Sequence, residues 1–136
     1  MEKRVRFGVS IDSKLLDSFD QLIRTQKYTN RSQAIADIMK SKLVDRAWQL
    51  GNKKVAAIIS LVYDHHKRDF VNKILKIQHD WQKLIISTQH IHLDHDNCLE
   101  IIATQGKSQE IIKLVHKLQA VKGIKHISLT ATTIGK

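Results

Sequence analysis

Residues 90–100 read HIHLDHDNCLE, so three histidines and the chain's one cysteine fall within nine positions, with carboxylates between them. Imidazole nitrogen and thiolate sulfur are the donors that hold borderline transition metals. His90 and His92 are two apart, and side chains on a strand alternate, so a strand here puts both rings on one face. Cys98 begins the next apolar segment, where a hairpin through DHDN sets it across from the histidine pair. Three donors on one hairpin call for a fourth, and His79 lies eleven residues before His90 in IQHDW. Glu100 shares the period-two face of Cys98 and can hydrogen-bond a ligating imidazole. Two other readings stay open at this point. A Cys98–histidine hydrolase needs a group to orient the base and an oxyanion hole, and no glycine-rich turn lies near Cys98. The stretch also reads as a solvated polar strand face in a chain with eight histidines.

The remaining histidines and the tryptophans carry blander expectations. His65 and His66 follow an apolar segment and are expected to start a helix as surface groups, with a weak auxiliary metal site as the second reading. His95 falls in the hairpin turn and is expected to be solvated. His116 and His126 read as surface or interface groups, and Trp48 and Trp81 as packing residues.

The elements that must position the cluster follow from hydrophobic periodicity. Val5, Phe7, Val9 and Ile11 alternate with Arg4, Arg6, Gly8 and Ser10, the period of a short strand with one apolar face. A helix after Asp12 or Ser13 carries Leu15, Leu16, Phe19, Leu22 and Ile23 as a stripe, and NRSQ, with Asn30 and Gln33, resembles a capping box opening a second helix. The seven-residue strand finds no partner in this segment, and its edge must pair somewhere. The same strand of a second chain gives a two-stranded ribbon and an intertwined dimer; a later strand of the same chain is the alternative.

QLGNKK is the expected linker, with Gly51 and Asn52 as stop signals. Beyond it, VAAIISLVY (55–63) reads as a strand with both faces buried or nearly so, 64–85 as a helix, IISTQHIHL and CLEIIATQG as a hairpin, 107–123 as a helix ended at Gly123, and 124–134 as a last strand. The order β-α-β-β-α-β is the ferredoxin-like arrangement. The fold class expected is therefore α+β, with a strand-helix-helix domain at 1–50 and a ferredoxin-like domain at 51–136.

Charge narrows the partners. The chain has 136 residues, 23 Lys and Arg against 13 acids, and a net charge of +10. Residues 1–54 hold twelve of the basic residues and six of the acids, a field that attracts phosphate polymers or an anionic surface. No apolar run reaches the roughly 18 residues of a membrane span, and MEKRVRFGVS lacks the apolar core of a signal peptide. One cysteine closes no internal disulfide, so a cytoplasmic protein is expected.

The two halves together resemble one family. RVRFGVSIDSKLLDSFDQL with YTNRSQAI resembles a ribbon-helix-helix DNA-binding domain, and VYDHHKRD, QHDW, HIHLDHDNCLEI and GIKH resemble the ACT-type regulatory domain of the nickel-responsive repressors, NikR. The resemblance covers nearly the whole chain. It implies a homotetramer, two ribbon-helix-helix dimers flanking a core of four regulatory domains. It implies one Ni(II) per subunit, held in a planar site by His90, His92 and Cys98 of one subunit and by His79 of a neighbour. It implies that Arg6, Gly8 and Ser10 face the major groove of operator DNA, although Gly8 departs from the hydroxyl residue usual there. Lys67 and Arg68 look like the phosphate contacts of the regulatory domain, and Asn30, Arg31 and Ser32 open a helix whose free amides can hold a phosphate. Gln33 replaces a carboxylate common in the family, which leaves a second cation site near Asp37 less secure. The function implied is repression of nickel uptake through a palindromic operator. A metal-storage or metal-chaperone protein whose ribbon serves only dimerisation is the alternative.

Overall fold

The computed structural model describes residues 2–135. The chain divides into two compact units, the first ending at Ser41 and the second beginning at Lys42.

The N-terminal unit holds α1 (Ser13–Thr25) and the first part of α2 (Arg31–Leu50). Asp12 caps α1 by accepting from the Lys14 amide, and Asn30 caps α2 by accepting from the Gln33 amide at 2.9 Å, as side-chain oxygens at these positions satisfy the first free amides. The Gln33 side chain does not complete the box; it accepts from Thr29 Oγ1 instead. Residues 2–12 form neither helix nor strand and pair with no strand among the described residues. The seven-residue strand expected over 5–11 is thus not formed within one chain. Its alternating apolar residues are exposed, Val5 by 78% and Phe7 by 67%. Only Ile23 and Ala34 of the two helices are buried in this unit, while Leu15, Leu22, Ile38 and Met39 remain open.

The C-terminal unit contains β1 (Lys54–Asp64), α3 (Arg68–Asp80), β2 (Ile85–His92), β3 (Asn97–Lys107), α4 (Ser108–Gln119) and β4 (Ile124–Ala131). The sheet order is β2-β3-β1-β4, and every neighbouring pair is antiparallel. This is the ferredoxin-like topology the periodicity called for: each helix carries the chain over one intervening strand. One face is covered. Ile59, Leu61 and Tyr63 of β1 and Ile102 of β3 pack against Phe70, Ile74 and Ile77 of α3 and Leu114, Val115 and Leu118 of α4. The last turns of α2 seal one end, with Ala47 and Trp48 against Val55, Ala57 and Ile111. Trp48 also donates to the Thr132 carbonyl, and Ser108 Oγ to the Trp48 carbonyl.

Two expectations are corrected. β1 is less covered on its outer face than expected: burial alternates along it, Ala56, Ser60 and Val62 are half-buried, and Ile58 is 43% exposed. The helix expected over 64–85 is shorter at both ends. His65 and His66 lie in a turn before α3, and residues 81–84 turn after it. α3 begins where Lys67 and Arg68 lead into the apolar stripe, and it ends when Trp81 turns back to donate to the Ile77 carbonyl.

Candidate metal centre

The candidate ligands lie at one end of the covered sheet face. Period two along β3 puts Cys98 and Glu100 on the same side as Ile102 and Thr104, towards the helices, and all four are buried. The hairpin register then fixes their neighbours. His92 stands opposite Cys98 and His90 opposite Glu100 on β2, while Tyr63 at the end of β1 stands opposite Cys98 on its other side. The turn between the strands is set by Asp94. Its carboxylate accepts from the Asn97 side chain and from the Asn97 and Asp96 amides, and those bonds, the Asn97 amide group foremost, hold it below the usual carboxylate range.

Cys98 Sγ lies 3.6 Å from His92 Nδ1. The turn after β1 brings His65 beside them, its ring edge-on to His92 with centroids 5.2 Å apart, and the ligating atoms of His65, His92 and Cys98 all fall within 4.8 Å of one another. Burial pushes the Cys98 thiol pKa up, and the carboxylates of Glu100, Asp64 and Asp94 push it further. A thiol among three negative groups resists ionisation until a cation arrives, so donor type and field together suit a divalent transition ion.

His90 is held differently. Its Nε2 meets Tyr63 Oη at 2.5 Å, Tyr63 donates to Glu100 Oε2 at 3.1 Å, and Gln78 of α3 donates to Glu100 Oε1 at 2.8 Å. Burial, then the charge of Glu100, raises the phenol pKa far above its ordinary value, so the hydroxyl keeps its proton. With Tyr63 donating to Glu100, the contact with His90 suits the tautomer in which Nε2–H donates to the phenol oxygen. Nδ1 then carries the lone pair, the tautomer a metal ligand needs. Glu100 itself is 3% exposed, with His90 Nε2 3.5 Å from its Oε2. His79 sits on the last turn of α3 with its side chain exposed. Among the described residues, neither His79 nor His90 joins the close group of His65, His92 and Cys98.

The description "NikR C terminal nickel binding domain" matches residues 56–132 of the chain. The chain is 50% identical to a protein of Syntrophus aciditrophicus over all of its own length and 98% of that protein's, and 46% identical to one of Geobacter sulfurreducens with the same coverage; both carry the name "Putative nickel-responsive regulator". The chain belongs to the nickel-responsive regulator family. Proteins of this family are regulators and not enzymes, so the Cys–His hydrolase reading falls away. The matched domain coincides with the four-stranded sheet and its helices, and with the His–Cys group it points to nickel binding. In fold alone, the chain is similar to the uncharacterized protein TM1266 from Thermotoga maritima, with a TM-score of 0.53 at 12% identity over 58% of this chain and 98% of that one.

The residues expected to meet DNA fall in two places. In the N-terminal unit, Arg6, Gly8 and Ser10 are exposed along the extended segment, and a side chain at Gly8 would meet nothing within 4 Å. Arg6, Asn30 and Ser32 line one open groove there. Arg31 is engaged within the unit, its Nε and Nη2 donating to both oxygens of Asp20 at 2.9 and 2.8 Å. Tyr28 donates to Asp37, the carboxylate considered for a second cation. In the C-terminal unit, Lys67 and Arg68 line a shallow basic depression with Lys73 and Lys122. No helix among the described residues is long and apolar enough to cross a membrane.

Sequence reasoning missed Tyr63, Gln78 and the ligand-range placement of His65. Tyr63 ended an apolar run and looked like core. The available signal was the antiparallel pairing of that run with the hairpin, which puts its last residue next to Cys98.

Proposed function

We propose that the chain is a nickel-responsive DNA-binding repressor acting in the cytoplasm, which grips a palindromic operator when Ni(II) is held by His90, His92 and Cys98 of one subunit and His79 of a neighbour. The pair of His92 and Cys98 facing each other across one hairpin, in a member of this family, carries the reading. One nickel ion per subunit supplies a centre that donors from two chains can share. The exposed position of His79 on a helix whose inner side is anchored supports its donation to a neighbour. The open apolar residues of the N-terminal unit support a second chain there, pairing residues 5–11 into a ribbon. On this reading residues 1–50 bind DNA, residues 51–136 bind metal and tetramerise, and the operator governs nickel uptake. Arg6, Gly8 and Ser10 then read base edges. Asn30, Arg31, Ser32, Lys67 and Arg68 position the duplex through phosphates.

A mobility-shift assay with the promoter of neighbouring nickel-uptake genes tests this. The wild type retards the fragment with Ni(II) and not without it, and it shows sulfur-to-nickel charge-transfer absorption. Cys98→Ala keeps the fold but loses both. Full nickel-dependent retardation by Cys98→Ala, or none by the wild type, overturns the reading.

A further inference from the structure

Arg31 is the first residue of α2 and Asp20 lies in the second half of α1, so a pair between them spans the turn that joins the helices. Both carboxylate oxygens are engaged: Nε donates to Oδ1 at 2.9 Å and Nη2 to Oδ2 at 2.8 Å. Two parallel bonds fix the plane of a guanidinium as well as its place. They occupy one edge of it only. A guanidinium carries five N–H groups, and those left over sit on Nη1 and Nη2, at the end of the fork, where a second planar or phosphate acceptor can be gripped. The Arg31 side chain is 57% exposed and that of Asp20 26%, so the clamp is the more covered partner and the arginine keeps an open end. On either side of Arg31 in sequence, Asn30 and Ser32 line the open groove with Arg4 and Arg6. The free end of the fork therefore stands beside the basic groups of this unit.

We propose that Asp20 is a positioning residue for DNA binding, resting on the DNA-binding reading above: its carboxylate holds Arg31 so that the remaining N–H groups of the guanidinium meet a backbone phosphate already ordered. An unclamped surface arginine samples many rotamers and loses that freedom when it grips an acceptor. A clamped one has lost it beforehand. The sign of the effect sets this role apart from simple charge. An acidic group beside a DNA contact repels phosphate, so neutralising it strengthens binding where it acts through its field alone. Positioning makes the same change weaken binding.

Fluorescence anisotropy of the full-length protein with Ni(II), on a labelled random-sequence duplex at low salt, tests the role, since phosphate contacts form on any sequence. Asp20→Asn, checked as folded by circular dichroism, binds about two- to tenfold more weakly than wild type, roughly the cost of ordering one long side chain on binding. Its dependence on salt keeps the wild-type slope, whereas Arg31→Ala loses about one unit of that slope. In the Arg31→Ala background Asp20→Asn brings no further loss, which a general loosening of the fold would still cause. Equal or tighter binding by Asp20→Asn overturns the proposal, and so does an equal loss in both backgrounds. The reference is wild type on random DNA, so failure of nickel-dependent operator recognition is a separate result. Absence of any DNA binding by wild type overturns both.

Discussion

His92 and Cys98 occupy directly paired positions on β2 and β3, with Nδ1 3.6 Å from Sγ. A register slip of one residue would send every side chain of β2 to the opposite face and separate the two. The turn that sets the register is locked by one carboxylate, Asp94, and the far end of the pairing absorbs its irregularity between Ile85 and Ser87. The ligand end of the hairpin is thus its regular end.

Tyr63→Phe isolates the hydroxyl that links His90 to Glu100. The variant leaves a buried carboxylate with Gln78 as its remaining hydrogen-bond partner, and apo stability should fall by about 1–3 kcal/mol. Nickel affinity should fall roughly 10–100-fold, the usual effect of removing a group that orients a ligand. Chelator competition and denaturant unfolding measure the two. Unchanged affinity would mean that the hydroxyl does not set the His90 tautomer.

The ferredoxin-like order was legible because each element has its own pattern: a largely apolar run in β1, short strand segments around the hairpin turn, and a period near 3.6 in α3 and α4. What escaped was long-range. The partner of Glu100 lies 37 residues away, and only the sheet register brings Tyr63 there. The largely apolar run of β1, interrupted only by Ser60, showed that the strand is central, but not that Ile58 on its outer face stays exposed. His65 was read as helical because nothing local distinguishes a histidine in a tight turn from one in a first helical turn. The expected N-terminal strand was visible as a pattern, yet a strand is completed by its partner, and one chain does not supply it.

Acid should loosen the N-terminal unit. The hydrogen bonds from Arg31, then its charge, hold the Asp20 carboxyl below its ordinary value. A depressed carboxyl contributes stability that is full above its unfolded pKa and is lost as pH falls through the folded one. The loss therefore begins near pH 4 and deepens below it. Asp20→Asn should be less stable than wild type at pH 7 and should show a flatter acid profile, measured by denaturant unfolding at pH 7 and pH 3. High salt should shrink the difference, because the pair is partly exposed.

Arg6→Ala separates DNA reading from metal sensing. Loss of one base-contacting guanidinium should cost about 1–3 kcal/mol of discrimination between operator and random DNA, while nickel binding is unchanged. Fluorescence anisotropy at several salt concentrations provides both the discrimination and the counterion slope. An equal operator preference in the variant would remove Arg6 from the reading surface.

Glu100 also holds Gln78, and the next residue along α3 is His79. Successive helical positions diverge by about 100°, so the residue that is clasped and the residue that reaches out are rigidly yoked. On the proposed reading, the Gln78–Glu100 hydrogen bond is the route by which an adjustment of the β2–β3 hairpin would reach the outward imidazole, like a tiller to a rudder. If that imidazole completes another subunit's pocket, as proposed, one carboxylate would join the geometry of one pocket to that of the next.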